Sequence, residues 1–207
     1  GYQSNKGLMA KALGPNGDRV YNMGTPYNTG AGMLMAQGVG AMTTGSFSTF
    51  SGTLNGIVST PPTEDDPEAW EKARGGDPAS LSGIAAGRPG VPMLVNYLFP
   101  DQTVAILVNL QGKRFVDEVS PIDAKYARIP QEVVKQRRAM AFIIADKAMI
   151  EQVGGAETVI NLYIEQGGKV VIEESLEAFA TKLQEIHGLY KGALLRTIKE
   201  YNEAIDD

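Results

Sequence analysis

The sequence predicts an α+β fold, a small mixed or antiparallel sheet with helices flanking it. Three observations carry that expectation. Apolar runs of strand length recur at residues 93–99, 103–109 and 139–145. The last third of the chain reads as helices with their own start and stop residues. Glycine, 24 residues in all, is concentrated before Gly90, so a loop-rich first half gives way to a regular, charged second half.

The elements follow in order. Ser4 is placed to N-cap a helix reaching Leu13, with Gly14 at its end and Pro15 just beyond. A polar glycine-rich loop over residues 24–32 runs directly into a helix of small and apolar residues over 33–41. Residues 42–50 alternate as a strand does, with Phe47 and Phe50 as apolar anchors. Residues 59–82 make a long excursion in which Asp66 and Pro67 open a short helix through Trp70. The strands at 93–99 and 103–109 join at Pro100 and Asp101. Asn109, Leu110, Gln111 and Gly112 read as a hairpin turn leading into residues 113–116. A helix over 123–129 should end at Pro130, and residues 139–145 should be a buried strand. Asp146 caps a short helix stopped by Gly154 and Gly155; a further helix over 156–165 closes at Gly167 and Gly168. A short strand is expected at 169–172. Ser175 caps a helix carrying Leu176, Phe179, Leu183 and Ile186, which ends near Gly188. Leu194, Ile198, Tyr201 and Ile205 then form one apolar stripe on a last helix.

Charge and composition narrow the function. With 19 basic against 24 acidic residues the chain has a net charge of -5, which argues against a nucleic-acid partner. Lys135, Arg137 and Arg138 cluster, and a solvated helix end accounts for them. The chain contains no cysteine, so disulfides, thiolate nucleophiles, iron–sulfur clusters and zinc–thiolate sites are excluded. The single histidine, His187, lies at a helix end beside Gly188 and reads as a polar cap rather than a catalytic group. No metal site is expected. No apolar run is long enough to span a membrane and no signal peptide opens the chain, so no membrane partner is expected. The compartment stays open, with the cytoplasm the default. The first residue is Gly rather than Met, which suggests an excised or processed product.

Three clusters are candidate sites. Thr29, Gly30, Ala31 and Gly32 open a helix, where backbone N–H groups and the helix dipole suit an anion such as a pyrophosphate. The dinucleotide pattern G-x-G-x-x-G is missing, so on residue chemistry alone a turn without a ligand is the simpler reading. Arg114 and Glu118 lie four residues apart on one predicted strand face. They can hold a substrate carboxylate through the guanidinium fork or form a structural ion pair, the latter being simpler. Tyr126, between Lys125 and Arg128, can donate a proton if buried beside a cation, or can simply pack.

Taken in order, the pieces resemble one family. Residues 1–5 resemble the Gly-Gly-aromatic turn at which the flavin domain of fumarate reductase-like flavoproteins ends a strand. Residues 25–33, with Ala36, Gly40 and Ala41, resemble that family's T-G-D-G-I-x-M-A…G-A segment. Asn109 with residues 112–118 looks like its V-N-x-x-G-K-R-F-x-[ND]-E motif. Residues 124–128 are similar to a segment of the tricarballylate dehydrogenase branch. Leu194, Thr197, Tyr201 and Asn202 follow a Leu-rich helix as in the family's pair of cap helices.

The resemblance implies an FAD-dependent oxidoreductase acting on a C–C bond beside a carboxylate or carbonyl. This chain would supply the substrate-side cap over residues 44–207 and a strip of the flavin domain over residues 1–43. The main flavin-binding segments would lie outside it. It implies flavin contact by Thr29, Gly30, Ala31 and Gly32, and substrate contact by Arg114, Glu118 and Tyr126. The partners it implies are the flavin domain of the same parent chain and a small carboxylate or carbonyl substrate. FAD would be bound by the intact parent, with none on this segment alone, which by itself would be inactive. Two departures stand out. The family's flavin-contacting Asp falls at Ala31, and its proton-donating Arg falls close to Ile122, so no catalytic residue is assigned and fumarate reduction is not expected. A flavin-free binding module that reuses the cap fold is the alternative. A third reading is an oligomer formed through the small and apolar residues 33–41, which would lose their cover.

Overall fold

The computed structural model describes residues 1–20, 25–50, 55–56, 91–92, 105–118, 128–152, 156–165 and 170–205. It is a mixed α+β structure. Its central element is an antiparallel pair, β3 (Ile106–Asn109) and β4 (Ala141–Ile144), with Ile106 opposite Ile144 and Asn109 opposite Ala141. A second antiparallel pair joins β1 (Asn55–Gly56) to β2 (Val91–Pro92).

The side-chain period of two in β3 explains why this short strand anchors the fold. Ala105 and Leu107 point to one side, where they meet Val116 with Ile129 and Val133 of α3 (Arg128–Lys135). Ile150 of α4 (Lys147–Gln152) and Ile160 of α5 (Ala156–Glu165) pack against that cluster. Ile106 and Val108 point to the other side. There they meet Ala180 and Leu183 of α6 (Leu176–His187), Leu189, and Leu194 of α7 (Lys191–Ile205). The pair is therefore covered by helices on both faces, which is why residues 105–108 form an unbroken apolar run rather than an alternating one.

The helix punctuation follows side-chain chemistry. Ser175 Oγ accepts from Ala178 N at 3.2 Å, and Gly188, at φ 70°, ends α6 in the left-handed region. The expected helix over 156–165 is α5. Gly14 ends α1 (Lys6–Leu13) at φ 89° as expected. A 3₁₀ turn over Gly17–Arg19 follows, and α2 (Ala31–Gly38) stands after the glycine-rich loop.

Several expectations are corrected. Asn5, not Ser4, caps α1: its Oδ1 accepts from Leu8 N at 3.0 Å, while the Ser4 hydroxyl donates to Thr25 O. α2 begins two residues early, at Ala31, because Gly30 takes φ 85° and frees the chain to turn into the helix there; it ends at Gly38, short of 41. Residues 42–50 form no strand; Gly45 at φ 84° breaks the run, and Phe47 instead stacks on Tyr2 at 5.9 Å between centroids. Pro130 does not end a helix. It lies within α3, which runs on to Lys135. The return strand at 113–116 reduces to one bridge, Val108 with Arg114. β4 is half-buried rather than buried, and residues 170–172 are irregular, with Val171 on the second cluster and Ile172 exposed. The expectations for residues 59–82, 93–99, 103–104, 123–127 and 169 lie outside the described residues.

Candidate functional site

The turn after β3 is built from its sequence motif. Asn109 is 8% exposed, and its Oδ1 accepts from Gln111 N at 3.0 Å and Lys113 N at 3.1 Å. That double acceptance holds the turn, which Gly112 N closes onto Asn109 O at 2.9 Å. Its amide nitrogen donates to Gln136 Oε1 at 2.9 Å, tying the turn to the end of α3. Gly112 sits at φ 72°, and a Cβ there would lie 2.6 Å from Leu194 N and 2.7 Å from Tyr190 O. The glycine thus lets the turn dock on the start of α7, where Gly112 O accepts from Thr197 Oγ1 at 2.8 Å.

This docking brings Arg114 beneath Tyr201, with its guanidinium carbon 5.0 Å from the ring centroid. Arg114 Nε donates to Glu118 Oε2 at 2.7 Å, and Nη2 donates to the same oxygen. The Glu118 side chain is fully buried, and its Oε1 accepts from Leu107 N at 2.7 Å. Asp117 adds a looser ion pair to Arg114 at 3.6 Å. The hydrogen bond to Glu118, with the nearby negative charges, raises the Arg114 pKa above its ordinary value against the opposing effect of burial. Both Glu118 oxygens are thus engaged within the chain, and one edge of the guanidinium fork is taken. Of the two readings open in sequence, the geometry is that of the structural ion pair. Arg114 retains 32% exposure.

The second cluster is the glycine-rich loop. Asn5 Nδ2 donates to Thr29 O at 3.0 Å, Ser4 N to Asn28 O at 3.0 Å, and Gly30 N to Gly1 O at 3.0 Å. These bonds lay the loop along α1. Gly30 is buried, and a Cβ there would lie 2.8 Å from Leu8 Cδ1 and 3.0 Å from Tyr2 Cβ. Thr29, Ala31 and Gly32 are exposed. No side chain caps the N-terminus of α2, and a Cβ on Gly32 would meet nothing within 4 Å. From there outward the surface is apolar: Tyr27, Leu34, Met35, Val39 and Met42 are all exposed, Val39 at 88% and Met42 at 93%.

The structure thus joins Arg114 to Glu118 and lines up Thr29, Gly30, Ala31 and Gly32 at one helix start. Tyr126 and Ile122 lie outside the described residues. Sequence reading placed Asn109 in the turn but missed Gln136 and Thr197 as the turn's partners and Tyr201 as the partner of Arg114. The Asn-x-x-Gly spacing signals the turn, but the partners lie far along the chain. Lys135, Arg137 and Arg138 are exposed at the end of α3, as a solvated helix end requires, and Lys135 pairs with Glu132 at 2.6 Å. His187 lies against the Phe142 ring, 5.1 Å between centroids. Among the described residues no three His, Asp or Glu side chains gather into a metal-holding group, and no helix is long and apolar enough to cross a membrane. No protein-family model matches the chain, and no curated protein matches it.

Proposed function

We propose that the chain is the substrate-side cap of an FAD-dependent oxidoreductase, with residues 1–43 packing against the flavin-binding part of the same parent chain. The observation that carries this reading is the uncovered α2. A water-exposed helix presenting Leu34, Met35 and Val39 in a chain of otherwise ordinary composition calls for a cover. It begins within residues 29–32, which the sequence resemblance assigns to flavin contact.

The loop would offer contacts to part of a flavin. The open N-terminus of α2 offers backbone donors to a phosphate or ring carbonyl oxygen, and Gly32 leaves room for close approach. Of Thr29, Gly30, Ala31 and Gly32, the exposed Ala31 and Gly32 would make these contacts through their N–H groups, because Thr29 N and Gly30 N already donate to Tyr27 O and Gly1 O. When bound, the flavin supplies a ring that exchanges a hydride with a substrate carbon beside a carboxylate or carbonyl. Arg114, which is partly exposed, would orient the carboxylate, with Glu118 fixing the guanidinium and Tyr126 close by in sequence. Ala31 gives no charged contact, and this favours the second reading, a flavin-free binding module on the same fold.

The visible absorption spectrum of the intact parent protein separates the two. Flavin bands that survive gel filtration, and are absent from residues 1–207 alone, support the oxidoreductase cap. A folded parent without flavin bands overturns it in favour of the binding module.

A further inference from the structure

We propose that Asn16–Gly17 is a self-modification site whose conversion unlatches the N-terminal segment from α3. Asn16 Nδ2 donates to Val134 O and to Gln136 O, each at 2.9 Å. Val134 O lies at the end of α3, where intrahelical donors run out, and Gln136 O lies just beyond it, also accepting from Ala139 N, so the Asn16 amide serves as a cap supplied by a distant segment. Gly17 is required for a separate reason. It is buried, and a Cβ there would lie 2.2 Å from Met9 O. Two unrelated packing demands therefore set an asparagine directly before a glycine, the pairing in which the following backbone nitrogen is least hindered.

The chemistry needs only water. Gly17 N attacks Asn16 Cγ and gives up its proton; the Cγ–Nδ2 bond breaks and ammonia leaves with that proton. Water then opens the cyclic imide to aspartate or isoaspartate. The net change is one water consumed, one ammonium ion released (ammonia with the proton of the new acid) and one negative charge gained by the chain. The new carboxylate has no proton for Val134 O or Gln136 O, so both hydrogen bonds are lost and like partial charges face each other. Isoaspartate also lengthens the backbone by a methylene within the turn that Gly17 N closes onto Gly14 O at 2.9 Å.

The folded geometry restrains the reaction. Gly17 N is held by Gly14 O, and the Asn16 amide by its two carbonyls. Conversion therefore waits on local opening, and its rate reads how often the latch is open. Gln131 Nε2, which donates to Phe50 O at 2.9 Å, is a second tie between α3 and the first fifty residues. Cutting it should speed the reaction.

The test is incubation of the whole chain at mildly alkaline pH, followed by mass mapping of tryptic peptides, which separate Asn16 from the other Asn–Gly pair, Asn55–Gly56. Asn16 should convert in urea and about tenfold or more slowly in the folded chain, with Gln131→Ala in between. Asn16→Asp should raise amide hydrogen exchange across α1 while leaving α6 and α7 protected. No conversion in urea, equal rates folded and unfolded, or unchanged exchange in α1 of Asn16→Asp would each overturn the proposal.

Discussion

At the residue scale, the letters of the motif in and after the turn that follows β3 answer to particular contacts. Gly112 must lack a side chain because backbone of α7 lies 2.6 Å from where a Cβ would stand. Backbone cannot move aside as a flexible side-chain tip can. Gly112→Ala should therefore cost roughly 1–3 kcal/mol, from the clash and the left-handed φ together, measured as a lower urea midpoint with unchanged slope. Glu118 answers to two partners. Replacing it with Ala leaves Leu107 N–H without its acceptor and Arg114 with only the looser ion pair to Asp117. The loss should be on the order of 2–4 kcal/mol, below the full range for a buried pair because Arg114 keeps 32% of its exposure to water. Arg114→Lys should recover little of the native stability, since an ammonium cannot reproduce the fork against Glu118 while stacking on Tyr201. A variant as stable as the parent would sink the lock described for this pair. The Arg-x-x-x-Glu spacing was legible in the sequence; that Glu118 turns inward to a strand N–H was not, because its partner belongs to β3.

At the element scale, the helix ends held by a short-range capping contact were legible, and the strands were less so. Ser175, Gly14 and Gly188 act through neighbours within four residues, so local sequence suffices to place them. Ser175→Ala should cost about 1 kcal/mol by thermal or urea unfolding, the usual worth of a lost N-cap. The alternation at 42–50 misled because a strand exists only with a partner, and Phe47 found Tyr2 instead. α2 is the opposite case, a helix formed with its apolar residues facing water. Met35→Glu and Val39→Glu should leave stability within about 0.5 kcal/mol, since both side chains are already exposed. If this face drives self-association of the chain, the same substitutions should lower the weight-average mass seen by sedimentation at high concentration. Parent and variants behaving as identical monomers would exclude an oligomer built through α2.

At the scale of the molecule, two apolar clusters share one short strand, and neither closes without it. Leu107 and Val108, both fully buried, face opposite clusters. Leu107→Ala should cost about 2–5 kcal/mol, and Val108→Ala somewhat less for the smaller cavity, with both helical layers losing protection in hydrogen exchange. Loss of protection on one face alone would show that the two layers are independent. The sequence by itself determined the α+β class, the helices from α5 onward, the turn at Asn109 to Gly112 and the absence of cysteine chemistry. Each of these rests on composition or on contacts within a few residues. Only the tertiary structure decided that β3 is covered on both faces, that Glu118 is an internal partner, and that Asn16 caps α3 from more than a hundred positions away. Those outcomes turn on which distant groups meet. Local periodicity carries no record of such meetings, because burial and hydrogen-bond pairing are settled by packing between elements.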